Sequence, residues 1–246
     1  MKFIVQSDEP MSIDTKIILD ILDNRSTIHS YELCKLENVK KYKNENIIPI
    51  GTIEFVETWL KEAHNILFIN PIEIPSILRT EEFLKREYNF INYKDIPKKG
   101  NYFLKDISKL KQFSFSGNIN HIVPGLLNKE HIYQLSENVN ILSEYRVYII
   151  SGKISSIANY DGDPTIFPDI NLINKANLIY SQEKEYPISY TMDIMITEKG
   201  TSIIEIHPFT SVGLYNSLWG TELLNAYIDG IEYIKKYNSS NLKKIN

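Results

Sequence analysis

The chain reads Ser189-Tyr-Thr-Met-Asp-Ile-Met-Ile-Thr-Glu-Lys-Gly-Thr-Ser-Ile-Ile-Glu-Ile-His-Pro208 over the stretch that decides its fold. This pattern is typical of two short apolar strands around a Glu-Lys-Gly turn, with Asp193, Glu205 and His207 where buried strands usually carry aliphatic residues. Side chains alternate between the faces of a strand, so Ile203, Glu205 and His207 should share one face. Pairing of the two strands is then expected to bring Asp193, Glu205 and His207 together.

Two carboxylates this close would repel each other unless a cation or a proton lay between them. A divalent metal is the usual partner, because hard cations prefer oxygen ligands. A half-exposed hairpin that places Asp193 and Glu205 on its wet face would need no metal, and the segment alone leaves that alternative open.

The composition is that of an ordinary soluble globular protein. The 246 residues are 43% hydrophobic and 24% charged, which suits one large domain or two small ones with a sizeable core. The net charge of −4 argues against a general nucleic-acid-binding protein, whose affinity would come from a basic surface. Cys34 is the single cysteine, so an intrachain disulfide is excluded, and we expect a small buried hydrophobic side chain there rather than a nucleophile.

The sequence also bears on location and partners. The N-terminus reaches Gln6, Ser7 and Asp8 too soon for a signal peptide, and no apolar run approaches the ~20 residues that span a bilayer. We therefore expect a cytoplasmic protein without a membrane partner. The oligomeric state stays open, with a homodimer as the commonest default.

Apolar periodicity predicts a small α/β unit over residues 1–75. Thr52 is placed to cap its second helix, and Asn70, Pro71 and Pro75 mark its end. The predicted strands cover residues 2–7, 47–50 and 65–69, and the predicted helices cover residues 14–22 and 53–63.

Residues 76–246 predict a larger α+β part with mainly antiparallel strands. Arg86 lies on its first predicted helix, and Lys105 ends its first predicted strand. A polar loop rich in lysine and hydroxyl groups follows at residues 108–117. The helices are expected at residues 80–88 and 217–237, and the strands at residues 102–104, 131–135, 145–150 and 154–158.

Taken in order, these pieces resemble the ATP-grasp superfamily, and in several details its R2K clade. A lysine ends a strand, a polar loop follows, and then come a hinge strand, an Arg-bearing strand and an acidic hairpin. The resemblance covers about residues 47–215 and is carried by the ordered set of motifs rather than by any one of them. The motifs are Pro49-Ile-Gly-Thr-Ile-Glu-Phe-Val56, Ile74-Pro-Ser-Ile-Leu-Arg79, Phe83-Leu-Lys-Arg86, Phe103-Leu-Lys105, Lys111-Gln-Phe-Ser-Phe-Ser-Gly117, Glu144-Tyr-Arg-Val-Tyr148 and Gly213-Leu-Tyr215.

The resemblance implies an ATP-grasp fold, in which two α+β lobes hold a nucleotide, preceded by the small α/β unit. The domains would be residues 1–75 and residues 76–246. The implied activity is that of an ATP- and Mg²⁺-dependent ligase, which joins a carboxylate to an amine or thiol through an acyl-phosphate and releases ADP. Its partners would be small-molecule or peptide carboxylate and amine substrates.

The resemblance also implies that four basic residues contact phosphate or substrate. Lys105 and Lys111 would meet the phosphates of ATP. Arg146 would meet phosphate or the acyl-phosphate, and Arg86 would face phosphate or the acid substrate. These roles suit phosphoryl transfer, in which catalysis is mostly positioning and charge neutralisation.

Each of these residues also has an ordinary structural alternative. The two lysines would be solvated loop residues, and Arg86 would form salt bridges on a helix face. Arg146 would pair with Glu144 or Asp193 within the sheet. Tyr215 is expected to pack rather than to take part in catalysis.

The resemblance implies two further groups of residues, around the nucleotide and around the metal. The hinge would consist of Gln134, Leu135, Ser136 and Glu137. Its main chain would contact adenine, and the side chain of Glu137 would reach the ribose. The metal would be held by Asp193 and Glu205, with His207 beside them.

His207 stands where the family usually has Asn. Asn offers Mg²⁺ a neutral oxygen, whereas His offers nitrogen, which suits Mn²⁺ or Zn²⁺ better. Three outcomes stay open: His207 binds a softer metal such as Mn²⁺, it contacts phosphate as a protonated imidazole, or the site binds nucleotide and turns over slowly. We expect the phosphate contact, with ATP and Mg²⁺ as cofactors.

Two other functions of the same fold compete with the ligase. One is a noncatalytic nucleotide-binding regulatory or interaction module, which His207 and the lack of a recognisable substrate motif favour. The other is a small-molecule kinase, which a phosphorylated product that persists without any amine would identify.

Overall fold

The structure is a computed structural model that describes residues 1–8, 10–24, 28–108, 113–123 and 125–241. Within these residues, eleven strands form three sheets, and helices pack around them. The strands are β1 (Lys2–Gln6), β2 (Ser30–Cys34), β3 (Ile47–Ile50), β4 (Tyr88–Asn92), β5 (Asn101–Asp106), β6 (Ser114–Asn118), β7 (Ile132–Glu137), β8 (Ser143–Ile150), β9 (Lys153–Gly162), β10 (Tyr190–Thr197) and β11 (Gly200–Pro208). The α-helices are α1 (Ile13–Asn24), α2 (Ile53–His64), α3 (Glu81–Leu84), α4 (Ile170–Tyr180) and α5 (Glu222–Asn241).

The N-terminal sheet is parallel and has the strand order β2-β1-β3. The apolar faces of α1 and α2 pack into its core through side chains that include Ile17, Ile21 and Trp59. Thr52 caps α2 as predicted, because its Oγ1 accepts a hydrogen bond of 3.3 Å from the N–H of Phe55. The sequence pattern of this unit therefore becomes an α/β layer.

Two features of this unit differ from the prediction. The strand predicted over residues 65–69 does not form, because Asn65 ends α2 with left-handed backbone (φ 56°) and the chain continues without regular structure. The strand β2 was not predicted. Its one buried side chain is Cys34, so Ser30–Cys34 lacks the apolar alternation that would mark a strand.

The central sheet is antiparallel, with the strand order β11-β10-β8-β9, and both of its faces are buried. Along β8, Val147 and Ile149 join the core shared with α4, whereas Tyr148 and Ile150 join the core of the N-terminal unit. This alternation is the period of two expected for a strand that is covered on both sides. The sheet therefore holds its polar residues against two packed layers.

The third sheet is antiparallel and smaller, with the strand order β4-β7-β5-β6 around a core of Leu104, Ile119 and Tyr133. The helix predicted over residues 80–88 is reduced to α3, and β4 begins at Tyr88. The end of the loop predicted over residues 108–117 is also a strand, since β6 pairs with β5.

The C-terminal helix α5 packs on the N-terminal unit, because Leu223, Leu224 and Ile231 lie in the same core as β1 and α2. It begins at Glu222, later than the predicted residue 217, and residues 217–221 form no regular helix. The domain division at residue 75 stays a prediction. None of the helices in the described part of the chain combines the length and the apolar character needed to cross a bilayer.

Candidate functional site

Strands β10 and β11 form the predicted acidic hairpin, with a bulge that the sequence does not indicate. Asp193 pairs with Glu205, whereas the next residue, Ile194, pairs with Ile203, so β11 carries one extra residue between them. Paired residues share a face, and neighbours along a strand do not. Ile203 therefore lies in the core on the face opposite Glu205. The prediction that Ile203 shares a face with Glu205 and His207 is wrong for this reason.

The hairpin brings the three residues predicted around the metal together. One ligand atom from each of Asp193, Glu205 and His207 lies within 4.8 Å of the others. Asp193 is buried, and the other two are partly buried. The prediction of their proximity is confirmed, and their role toward a metal stays a prediction.

Arg146 comes from β8, the neighbour of β10, at the position that pairs with Asp193. Its Nε and Nη2 donate to Oδ1 and Oδ2 of Asp193, both at 2.7 Å, in the two-pronged geometry that guanidinium and carboxylate favour. The pair is buried, with 11% and 3% of the side chains exposed. Burial lowers the pKa of Arg146, but the contact with Asp193 outweighs it and the net direction is upward. The structure thus shows an ion pair of Arg146, with Asp193 and not Glu144 as the partner.

Two stacked tyrosines lie beside the guanidinium of Arg146. The rings of Tyr160 and Tyr215 stack with centroids 5.2 Å apart and planes at 16°, and the guanidinium carbon lies 5.8 Å and 5.3 Å from the two ring centres. Tyr160 also donates a hydrogen bond of 2.5 Å to Glu144. Tyr215 therefore packs against Arg146, which is itself a predicted site residue. Tyr160 carries no local signal, because its partners lie on other strands.

Lys105 reaches the acidic hairpin from the third sheet. It lies in β5, and its Nζ contacts Oε2 of Glu205, while Nε2 of His207 lies 2.6 Å from Oε1 of the same carboxylate. Burial raises the pKa of Glu205, but His207 and Lys105 outweigh it and hold that pKa well below its usual range. Lys111, the second predicted phosphate ligand, falls outside the described residues.

Lys105, Glu205 and His207 line a narrow cleft between the two antiparallel sheets. The ion pair of Arg146 and Asp193 adjoins this cleft beside Glu205. Gln134 of β7 lines the cleft, and so does Glu73, which the sequence analysis did not select. Burial raises the pKa of Glu73, although Lys105 and Arg79 oppose this. The sequence did contain a signal for Glu73, because this acidic residue lies between two isoleucines and so interrupts an apolar run.

The predicted hinge residues lie within β7, which has β4 on one side and β5 on the other. The backbone of Gln134, Leu135 and Ser136 pairs with both neighbouring strands. The predicted hinge strand therefore lies inside the sheet, and its contact with adenine stays a prediction. The amide of Gln134 donates to Ser136 at 3.0 Å, and Glu137, at the end of the strand, pairs with Lys199 at 3.2 Å.

Arg86 lies after α3 rather than on it, so its predicted helix position is wrong. Lys85 ends the helix with left-handed backbone (φ 49°). Arg86 is buried and donates from Nη1 to the carbonyl oxygens of Leu84 at 3.1 Å and Ile203 at 2.8 Å. Burial lowers its pKa to about 10. These bonds hold the start of β4 against β11, and the contact with phosphate or substrate stays a prediction.

Comparison with known families decides what this site belongs to. Residues 83–219 match the ATP-grasp domain, R2K clade family 2. The chain belongs to this family. The match includes Lys105, Arg146 and the acidic hairpin, and the membership predicted from the ordered motifs is confirmed.

Solved structures of ATP-grasp proteins share the fold of this R2K chain. The D-cycloserine synthetase DcsG is 10% identical, with 95% of this chain and 100% of that chain covered and a TM-score of 0.61. The D-alanine–D-alanine ligase of Bacillus anthracis complexed with ATP is 14% identical, with 99% of each chain covered and a TM-score of 0.51. The macrocyclase MdnC of Microcystis aeruginosa, bound with the precursor peptide MdnA, is 12% identical, with coverage of 94% and 98% and a TM-score of 0.53. The predicted α+β ATP-grasp fold is confirmed.

One similar curated protein, Protein GrpE 1 of Buchnera aphidicola, has a name that does not refer to the ATP-grasp fold. It is 29% identical over 160 residues, which are 64% of this chain and 73% of that protein. The family match and the solved structures agree with each other on the ATP-grasp fold, and the function of this R2K protein is inferred from its site within that fold.

The residues of the site fit the magnesium ion that the family implies. Mg²⁺ prefers oxygen ligands, and Asp193 and Glu205 offer carboxylate oxygens within 4.8 Å of each other. His207 adds a nitrogen, which Mg²⁺ accepts less readily than Mn²⁺ does. Among these three donors, the two carboxylates are therefore the ligands expected to hold Mg²⁺.

Proposed function

We propose that this R2K protein is an ATP- and Mg²⁺-dependent ligase that joins a carboxylate to an amine through an acyl-phosphate. The supporting observation is the charge arrangement of the cleft, where Asp193 and Glu205 meet Arg146 and Lys105. A triphosphate with its metal requires both sets, because the metal needs oxygen ligands and the phosphates need cations. A purely structural cluster would need neither the cleft nor both sheets.

Binding of ATP is proposed to exchange partners within this cluster. Lys105 leaves Glu205, and part of the Arg146 guanidinium leaves Asp193, for phosphate oxygens, which form strong charge-assisted bonds with both cations. The oxygens released in this way hold Mg²⁺, which when bound supplies charge neutralisation on the phosphates. The stacked rings of Tyr160 and Tyr215 keep the guanidinium in place during the exchange.

The proposed reaction has two steps. A carboxylate oxygen of the acid substrate bonds to the γ-phosphorus of ATP, the bond from that phosphorus to the β,γ-bridging oxygen breaks, and ADP leaves. The amine nitrogen then bonds to the acyl carbon, the bond from that carbon to the phosphate oxygen breaks, and inorganic phosphate and a proton are released. Arg146 and Lys105 stabilise the charge on the transferred phosphoryl group, which is the main task of side chains in such reactions.

His207 is proposed to orient Glu205 and to contact phosphate. Its Nε2 already lies at hydrogen-bond distance from Glu205, so it can hold that carboxylate toward the metal. Mg²⁺ is the proposed metal, and Mn²⁺ is the alternative that a nitrogen ligand would favour. Residues 1–75 are proposed to serve as a substrate-binding unit and residues 76–246 as the ATP-grasp domain.

Calorimetric titration with ATP in Mg²⁺, in Mn²⁺ and in EDTA tests the nucleotide site. We expect metal-dependent binding by the wild type and binding weakened roughly 10- to 100-fold in Lys105→Met, because a charged hydrogen bond is lost. Lys98→Met, which removes an exposed lysine, should bind as the wild type does. Absence of ATP binding by the wild type in all three conditions would refute the proposal.

Release of ADP tests the chemistry. Pairs of carboxylates and amines would be screened, with hydroxylamine as a general trap for the acyl-phosphate. Formation of hydroxamate with stoichiometric ADP supports the ligase. Tight ATP binding without ADP release from any pair would favour the noncatalytic module instead, and a stable phosphorylated product without an amine would favour the kinase.

A further inference from the structure

A cavity of about 450 Å³ lies at the carboxyl-terminal edge of the parallel sheet. Gln6 and Ile50, the last residues of β1 and β3, line it together with the first turns of α1 and α2 and residues 211–213. Open parallel sheets bind ligands outside the carboxyl ends of their strands. The cavity also falls within the roughly 300–1,000 Å³ typical of small-molecule sites. Its place and size are those of a ligand site.

This cavity adjoins the guanidinium of Arg146. Gly213, which lines the cavity, accepts hydrogen bonds on its carbonyl oxygen from Nη1 of Arg146 at 3.4 Å and from the hydroxyl of Tyr148 at 2.7 Å. The next N–H, that of Leu214, donates to Oδ2 of Asp14 at 3.1 Å. Gly213 therefore joins the wall of the cavity to Arg146, the residue proposed to contact the acyl-phosphate.

The side chains that line the cavity are acidic. Asp8 and Asp14 contribute carboxylates, and no Lys, Arg or His lines the cavity among the residues that the structure describes. Oδ2 of Asp8 already accepts hydrogen bonds from Gln6 at 2.8 Å and from the N–H of Leu36 at 2.9 Å. The carboxylate of Asp14 has the Leu214 N–H as its described hydrogen-bond donor. Burial raises the pKa of Asp14, with that N–H and Arg146 opposing it.

The two helix N-termini at the cavity do not turn it into an anion site, because side chains cap them. Ser12 accepts a hydrogen bond from the N–H of Thr15 at 3.0 Å, and Thr52 accepts one from Phe55. Gln6 accepts one from the N–H of Thr52 at 2.7 Å. Each helix end carries about half a positive elementary charge, so the two ends offset about half of the charge on two carboxylates. The net charge of these four groups is about −1, which favours a cation in the cavity.

We propose that this cavity binds the amine substrate as a primary ammonium group held by the carboxylate of Asp14. The inference rests on the proposed ligase function, which requires a nucleophilic amine, so the bound ammonium releases one proton to solvent before its nitrogen attacks the acyl carbon. The same negative charge disfavours the carboxylate substrate here. A primary ammonium is common to single amino acids and to peptide N-termini, and the size of the best ligand distinguishes the two sources.

The test is a calorimetric titration of the full chain with L-amino-acid amides, with tripeptide amides and with the N-acetylated form of each. Each titration is run with a non-hydrolysable ATP analogue plus Mg²⁺ and again without nucleotide. We expect binding of probes that carry the ammonium group and none of the acetylated forms. Asp14→Asn should weaken that binding about tenfold or more, because a charged hydrogen bond is lost while the acceptor for Leu214 is kept. Asp20→Asn, on the exposed side of the same helix, is the matched control and should bind as the wild type does.

Tighter binding of the tripeptide amides would support a peptide N-terminus, and tighter binding of the single amides would support an amino acid. Equal affinity in the wild type and Asp14→Asn, equal binding of the acetylated forms, or no binding of any probe would overturn the assignment. ATP with Mg²⁺ is titrated separately into the same proteins and should bind Asp14→Asn as it binds the wild type. Loss of ATP binding by the wild type refutes the ligase, whereas loss of amine selectivity with intact ATP binding refutes only the cavity assignment.

Discussion

The cleft and the cavity both contain two carboxylates, and they differ in what lies next to them. In the cleft, Asp193 contacts Arg146, and Glu205 contacts Lys105, so each negative charge has a cation beside it. In the cavity, Asp14 has a backbone N–H instead. A site that binds a polyanion with its metal must hold charges of both signs, whereas a site for an ammonium group needs negative charge alone. The difference in charge balance therefore separates the two proposed sites.

Glu205→Gln should disable the cleft and leave the cavity intact. It removes a metal ligand and the partner of Lys105, so Mg²⁺-dependent ADP release should fall by about 100-fold or more, or ~2.7 kcal/mol. The measurement is ADP release at saturating Mg²⁺, with Glu198→Gln in the exposed turn of the same hairpin as the control. Full activity in Glu205→Gln would contradict its metal role. Loss of amine binding in this variant would show that the two sites are not separate.

Tyr215→Ala sharpens the comparison, because Arg146 has two aromatic rings beside it and Asp14 has none among its described contacts. Loss of the ring beside Arg146 should lower kcat roughly 3- to 30-fold, from a cation–π contribution of about 0.5–2 kcal/mol. Tyr215→Phe keeps the ring and should retain most of the activity. Steady-state kinetics with ATP as the varied substrate measures both. A Phe variant as slow as the Ala variant would assign the effect to the hydroxyl.

His207→Asn tests whether the cleft is tuned to its metal. Replacement of a ring nitrogen by an amide oxygen should raise the ratio of activity with Mg²⁺ to activity with Mn²⁺, by about three- to tenfold. ADP release measured in the two metals gives this ratio directly. An unchanged ratio would show that His207 does not touch the metal and would leave the contact with Glu205 as its role.

Glu73→Gln should have the smallest effect, on stability. The pKa of Glu73 is raised above 4.5, mainly by burial, so its ionised form costs stability as the pH rises through the folded pKa, and this cost is absent at lower pH. The variant should therefore gain free energy of unfolding at pH 7. Urea unfolding at pH 7 and pH 4 measures the gain, which should disappear at pH 4. A variant less stable than the wild type at pH 7 would show that attraction to Lys105 outweighs burial.

The sequence predicted the parts of the site that lie on neighbouring strands. Alternation and the Glu-Lys-Gly turn were sufficient to bring Asp193, Glu205 and His207 together, because a hairpin sets its own register. The ion pair of Arg146 was among the alternatives for the same reason. Ile203 was placed on the wrong face, since a bulge adds one residue and local composition does not mark it.

Other contacts that were not predicted have a common cause in pairing between distant segments. Gln134 and Leu135 lie in a strand as predicted, but its two neighbours, β4 and β5, come from earlier parts of the chain and were not predicted as its partners. Arg86 was expected on a helix surface, and a carbonyl of β11 accepts its hydrogen bond instead. Neither partner can be identified from residues nearby in sequence.

By itself, the sequence determined the local elements of the acidic hairpin, the capped helix α2, and the ordered set of motifs that identifies the family. It could do so because caps, turns and side-chain periods act over a few residues. Only the tertiary structure decided that Lys105 would reach Glu205 from another sheet and that Asp14 would accept a hydrogen bond from Leu214. Such contacts depend on how sheets pack against each other, and the free energy of that packing is spread over many buried side chains rather than encoded at the residues that meet.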